Sequence, residues 1–265
     1  MGNREQVTII NEGLADDSLT LRIVYCDSGC VVVNKIAGEA VEGAPPLVAT
    51  PSKMAGMADL PRLLAVELAA FPQALPADDA LELPVAAHRL DVPVSGCVVF
   101  ARTSAALRFL NEAFRNNAVE KSYWAIVEPP KNDKQFLAFP ESGEAVHWIQ
   151  FDSRRNKSIA FDEQGPGRKK AVLKYRLAGR GRDYLFFEIK TETGRHHQIR
   201  AQLQRLGLHI KGDLKYGAKR SEKNGGIRLH ARSLSFPNPA GSGRISVQAD
   251  PPLRDNLWKA YKEHS

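Results

Sequence analysis

Short apolar runs broken by turn-forming residues dominate the chain, and they predict strands. RIVYC and VVVNK flank Asp27-Ser28-Gly29 and read as a hairpin. GCVVFA (96–101), KSYWAIVE (121–128), HWIQFD, AVLKYRL, DYLFFEIKT, IRLHARSLSF and RISVQA supply further strands. Helical spacing interrupts them. DLPRLLAVELAAF puts Leu60, Leu63, Leu64 and Leu68 on one face, with Asp59 as N-cap. Thr103 or Ser104 caps a helix that turns Leu107, Leu110 and Phe114 inward. HHQIRAQLQRLG predicts a helix opened by Arg195, with Ile199, Leu203 and Leu206 on one side and Gly207 as its stop. LWKAYKEH closes the chain after Pro251-Pro252. Residues 37–58 and 72–82, rich in Gly, Ala, Pro and Asp, predict loops.

Neighbouring strands joined by short turns, with few helices between them, predict an α+β fold. Its sheet is mixed and mostly antiparallel, with flanking helices. No repeat and no clean linker divides the 265 residues. Residues 1–21 read as an N-terminal extension and 22–265 as one catalytic domain. The polar start MGNREQVTIINEG lacks the apolar stretch of a signal peptide, and no run approaches the ~18 apolar residues of a membrane span. Three cysteines, Cys26, Cys30 and Cys97, are too few for a disulfide framework and point to a reducing, cytoplasmic compartment. Cys26 and Cys30 are placed to face each other across the first hairpin.

The net charge of +7 is unevenly spread. Residues 1–100 carry 6 Lys and Arg against 13 Asp and Glu, whereas 153–182 and 195–232 each carry 10 against 2. Basicity concentrated in two segments is the footprint of a patch for a polyanion, and a nucleic acid is the expected partner.

Phosphate-cradling glycine loops and dinucleotide fingerprints are absent, and no Cys/His set has zinc spacing. No metal and no nucleotide cofactor are expected. His196 and His197, adjacent on the predicted helix, should point apart. Three segments carry polar residues in apolar surroundings: HRLDVPVSG (88–96), KSYWAIVE and TGRHHQIRAQLQRLG. Asp91 is the sole carboxylate of the apolar stretch 83–101. An isolated buried carboxylate takes up a proton, and a nearby guanidinium reverses this, keeping it ionised as a nucleophile. Arg195 has the fork to do so, and Tyr123 offers a flat ring and a hydroxyl. Each alone also fits a plainer role: a turn carboxylate, the start of a surface helix, a core tyrosine.

HRLD followed shortly by Ser-Gly resembles the central motif of the RluA-type pseudouridine synthases. The likeness extends in order through IVYCDSGCVVVNKIAGEAV, HRLDVPVSGCVVFARTSAAL, EKSYWAIVE, KKAVLKY, TGRHHQIRAQLQRLGLHIKGDLKYG and IRLHARSLSFPNP, roughly residues 22–239. The resemblance implies isomerisation of a uridine inside transfer or ribosomal RNA to pseudouridine, without cofactor or metal. It makes Asp91 the catalytic carboxylate, attacking the sugar or assisting its deprotonation. Tyr123 stacks on the uracil and helps remove the ring proton, and Arg195 pairs with Asp91. Arg89 fills the space of the extruded base and Leu229 packs on the uracil. His88, Arg200, Lys211 and Arg232 join the expected substrate-binding set. Many relatives carry an extra N-terminal RNA-binding domain, for which residues 1–21 are too short. The chain departs from the family pattern at Ile36, Val94, His196 and in GDLKYG. His196 is expected to cap the helix. A monomer is expected. The alternatives are a non-catalytic RNA-binding protein and a base-releasing nucleoside hydrolase. The Asp91, Tyr123 and Arg195 set favours the isomerase.

Overall fold

The computed structural model describes residues 6–11, 22–42, 59–69, 79–129, 139–252 and 255–264. Residues 43–58 of the first predicted loop and 72–78 of the second lie outside the described residues. The chain divides into two compact units, Met1–Glu120 with Ala231–Pro252, and Lys121–His230 with Leu253–Ser265.

In the first unit, β1 (Gln6–Asn11) pairs parallel with β13 (Arg244–Ala249), so part of the predicted extension is a strand. The predicted hairpin forms as β2 (Ile23–Cys26) and β3 (Cys30–Lys35). Asp27 closes it, its Oδ1 accepting from the backbone N–H of Gly29 at 2.8 Å and of Cys30 at 2.7 Å. Cys26 lies opposite Val31 rather than Cys30, because the turn offsets the register; Cys26 is exposed and Cys30 buried. β3 pairs antiparallel with β5 (Ser95–Thr103), from Cys30 opposite Ala101 to Lys35 opposite Gly96. Both strands are buried along their whole length, as their unbroken apolar runs require. β4 (Ala80–Ala86) pairs antiparallel with β5, and β12 (Leu229–Pro237) with β13. α1 (Leu60–Ala69) buries Leu60, Leu64 and Leu68, while Leu63 stays 41 % exposed. α2 (Ser104–Arg115) is capped by Thr103, whose Oγ1 accepts from Ala106 N–H at 3.1 Å. It sets Leu110 into a core built of Val32, Val99, Phe236 and Val247.

In the second unit β6 (Glu120–Glu128), β10 (Leu185–Thr191), β9 (Lys169–Arg180), β7 (Ser142–Asp152) and β8 (Lys157–Phe161) follow one another antiparallel, with β8 last. The short β11 (His209–Ile210) pairs with the end of β6. β8 and β9, on either side of β7, place much of the basic stretch 153–182 on three antiparallel strands. α3 (Gln198–Arg205) packs Ala201 onto Ile149, Ala160, Ala171 and Tyr216. α4 (Asn256–His264) sets Trp258 and Tyr261 against Ile126 and Phe186. The architecture is α+β with a mostly antiparallel sheet, as the pattern predicts. Among the described residues no helix is long and apolar enough to cross a membrane.

Candidate active site

Asp91 lies half-buried in the connection from β4 to β5. Its backbone oxygen accepts from Val94 N–H at 2.9 Å, which bends the chain into a turn. Beneath that turn lies Lys35, the last residue of β3, fully buried. Its Nζ donates to the backbone oxygens of Val94 at 2.7 Å, Val92 and Ile36 at 3.0 Å, and Asp91 at 3.4 Å. Gly38 N–H donates to Val92 oxygen at 2.9 Å and ties the same turn to the segment after β3. Burial pushes the Lys35 ammonium down to about 8, while the charges of Glu39 and Asp91 oppose that fall. The turn that presents Asp91 therefore wraps a buried lysine.

His88 steadies the other end of the connection. Its Nε2 accepts from Val99 N–H at 3.2 Å, and its ring stacks on Phe114 at 4.8 Å between centroids. Arg89 points outward, 59 % exposed, with Nη1 3.9 Å from Glu42. Gly96 lets β5 start where it does: at φ +120° its backbone lies flat against Ala231.

In the second unit Tyr123 lies half-buried on β6, opposite Ile189 of β10. β10 ends two residues later at Thr191, so Tyr123 is at the end of the sheet from which the Gly194-Arg195 turn departs. That turn is not helical. Gln198 holds it open, its Oε1 accepting from Arg195 N–H at 2.9 Å and from the Thr193 hydroxyl at 2.8 Å. Its Nε2 donates to Val172 oxygen at 3.1 Å. α3 consequently begins at Gln198 instead of Arg195. Arg195 is exposed, its Nε donating to Lys170 oxygen at 3.0 Å. Lys121 lies under the turn, its Nζ 3.8 Å from the position a Cβ on Gly194 would take, and burial lowers its pKa.

His197 takes the left-handed conformation, φ 49°, at the N-cap of α3 and makes no side-chain cap bond. His196 does not cap the helix either. The left-handed residue swings the two imidazoles onto one side, where they stack at 3.8 Å instead of pointing apart. The helical periodicity that predicted divergence does not apply, because neither residue lies within the helix.

Leu229 opens β12 and is buried. Arg228 anchors its approach: Arg228 N–H donates to Lys211 oxygen, and Ile126 N–H donates to Arg228 oxygen, both at 2.9 Å. Its Nη2 bonds Glu222 at 2.9 Å and Asp255 at 2.5 Å. Three of the expected RNA contacts are tied into their own units. Arg200 is 5 % exposed and grips Asp213 with two bonds, Nε–Oδ2 at 2.6 Å and Nη2–Oδ1 at 2.8 Å. Lys211 pairs with Glu222, and Arg232 with Asp250 at 3.0 Å.

Sequence reasoning passed over Lys35, Lys121 and Gln198. The two lysines carried a signal, a cation at the edge of an apolar run, but such residues are ordinarily solvated strand ends. Lys35→Met is expected to slow single-turnover product formation about a hundredfold while RNA affinity stays within about twofold, since a turn displaced by ~1 Å forfeits that much. An unchanged rate would show that the turn keeps its shape without the ammonium. The same group has a signature in stability. Its folded value near 8 lies below the ordinary 10.5, so between those pH values the unfolded chain holds a proton that the folded turn does not. The Lys35 contribution to unfolding free energy therefore rises with pH across that window. Urea titrations on either side of it should show the rise in the native protein and not in Lys35→Met.

Residues 29–205 match the family model described as RNA pseudouridylate synthase. An uncharacterised RNA pseudouridine synthase of Zymomonas mobilis is 31 % identical over 89 % of this chain and 94 % of its own length. Ribosomal large subunit pseudouridine synthase D of the same organism is 27 % identical over 88 % of this chain and 70 % of its own. The solved structure of human RNA pseudouridylate synthase domain containing 4 superposes with a TM-score of 0.64 at 21 % identity, covering 94 % of each chain, and shares the fold. A family match spanning most of the chain, over the segments that build the Asp91 turn, Tyr123 and Arg195, leads to one conclusion: the chain belongs to the RNA pseudouridylate synthase family.

Proposed function

We propose that the protein isomerises a uridine within structured RNA, transfer or ribosomal, to pseudouridine, with Asp91 as the catalytic carboxylate. One observation carries this reading. Asp91 is half-buried in a turn whose backbone oxygens are held by Lys35 Nζ and Val94 N–H, within the segment that the family model matches. On this reading the uridine leaves its stack at a cost of a few kcal/mol, which phosphate contacts from the basic segments offset. The C1′–N1 bond breaks, the uracil turns, C5 bonds to C1′, the C5 proton departs and N1 takes up a proton, so atoms and charge balance. Nothing is hydrolysed, oxidised or reduced, so the reaction calls for no cofactor. Arg195 is the third residue of the proposed catalytic set. Tyr123 stacks on the uracil and helps remove the ring proton, Leu229 packs on the uracil, and Arg89 enters the space the base has left. His88, Arg200, Lys211 and Arg232 hold the scaffold. We assign residues 22–265 as one working catalytic domain, acting as a monomer in the cytoplasm.

RNA carrying tritium at uracil C5 tests this. The wild-type protein should release tritium to water and leave the uracil ring in the polymer. Labelled free uracil would mark a base-releasing hydrolase instead, and label retained in uridine would mark a binding protein without activity.

A further inference from the structure

Phe151, at the end of β7, is 49 % exposed, an unusual surface position for so large an apolar ring. Its buried side meets His196 edge-on at 4.3 Å. His196 stacks on His197 at 3.8 Å, and His197 meets Tyr216 at 5.7 Å. Hydrogen bonds fix this column. Ser158 Oγ lies 3.1 Å from His196 Nδ1, and His197 Nδ1 lies 2.9 Å from the Tyr216 hydroxyl. That hydroxyl accepts from Ser158 N–H at 2.8 Å. The aromatic surface is thus held rigid before anything binds.

Cations ring it. Arg154 and Arg155 occupy the turn from β7 to β8, just beyond Phe151, and both are exposed. Lys157 lies 4.7 Å over the Tyr216 ring, and Lys215 Nζ donates to Asn156 oxygen at 3.1 Å. The carboxylate within the turn region, Asp152, accepts from the backbone N–H groups of Arg154 and Arg155, at 3.0 and 3.2 Å. It also lies 3.8 Å from Arg155 Nε. Arg154, Lys157 and Lys215 thus remain as a positive rim about a flat apolar ring. That combination matches an unpaired nucleotide, which joins a π-face to a phosphate on each side. A duplex, whose faces are already stacked, matches it only through charge.

We propose that Phe151, backed by His196, is a stacking platform for an unpaired base of the substrate RNA other than the uridine being isomerised, with Arg154, Lys157 and Lys215 receiving the flanking phosphates. This rests on the RNA reading above and narrows it to RNA with an unpaired nucleotide near its target. The platform adjoins the proposed catalytic machinery in the chain, because His196 directly follows Arg195.

A fluorescein-labelled oligouridylate and a blunt RNA duplex of equal length separate stacking from charge. Phe151→Ala should weaken the single strand about tenfold and leave the duplex within about twofold. Phe151→Trp should restore the loss and Phe151→Leu should not, since leucine keeps apolar contact without a π-face. Arg154→Ala with Lys215→Ala should weaken both probes and reduce the salt slope by about two. The platform is overturned if Phe151→Ala binds the single strand as the wild type does, or if leucine serves as well as tryptophan. A surface made for a protein partner would give that first result. Tritium release from C5-labelled cellular RNA, measured on the same preparations, keeps the two readings apart. Failure of release by the wild type strikes the catalytic reading. Normal release with an insensitive Phe151 strikes the platform alone.

Discussion

Asp91→Asn is expected to lower single-turnover pseudouridine formation by at least about a thousandfold, near 4 kcal/mol of barrier, with RNA affinity held within about twofold. The amide matches the carboxylate in shape and lacks its charge. The bonds that define the turn run through the backbone, from Val94 N–H and Lys35 Nζ to the Asp91 oxygen, so the substitution leaves them in place. The measurement is product per enzyme at saturating enzyme, beside a binding titration and a thermal melt. A variant that forms product at the wild-type rate removes Asp91 from the chemistry. A variant that melts early and binds poorly makes Asp91 a turn residue.

The sequence made some of this legible because the determinants are local. The hairpin at Asp27, the fully buried β5 and the Thr103 cap each depend on residues within a few positions of one another, and all three formed. Asp91 stood out because a lone carboxylate in an apolar stretch has few bland explanations. Lys35 was equally visible, a cation at the end of an apolar run, and was passed over. What buries it is the convergence of carbonyls from residues 91–94, more than fifty positions away, which no local pattern announces. The start of α3 failed for a related reason. Periodicity runs smoothly back to Arg195, but Gln198 bonds the turn before it and holds the chain out of the helix. β8 was missed because KSIAF is short and flanked by charges. Its alternating burial is evident only once β7 lies beside it.

Charge counting misled in a specific way. The stretch 195–232 looked like a surface made for phosphate. Arg200, Arg205, Lys211, Arg228 and Arg232 are each matched to a carboxylate. Asp162, Asp250 and Asp255, three of those partners, lie outside the stretch that was counted. A segment's net charge measures the field it can project only after its internal pairs are removed, and those pairs are set by tertiary contacts.

Gly96→Ala should produce the largest loss of stability of any conservative change near the site. At φ +120° an L-residue is strained whatever its surroundings, and here the surroundings are closed as well. An added Cβ would lie 2.5 Å from Ala231 nitrogen and 2.7 Å from its carbonyl carbon, both backbone atoms that no rotamer change can move. β5 would have to leave β12, and β5 is buried along its whole length, so the unit has no loose element to absorb the shift. The expected cost is more than about 4 kcal/mol, enough to send most of the protein to the insoluble fraction. Gly38→Ala is the matched control. Gly38 also has a positive φ, +97°, but a Cβ there would meet nothing within 4 Å. It should cost only about 1 kcal/mol, the backbone strain alone. Soluble yield and urea midpoint compare the two. Equal midpoints would deny the close approach of β5 to β12. A large gap would show that the glycine of the Ser-Gly pair sets the distance between two strands, and through it where β5 begins, four residues after Asp91.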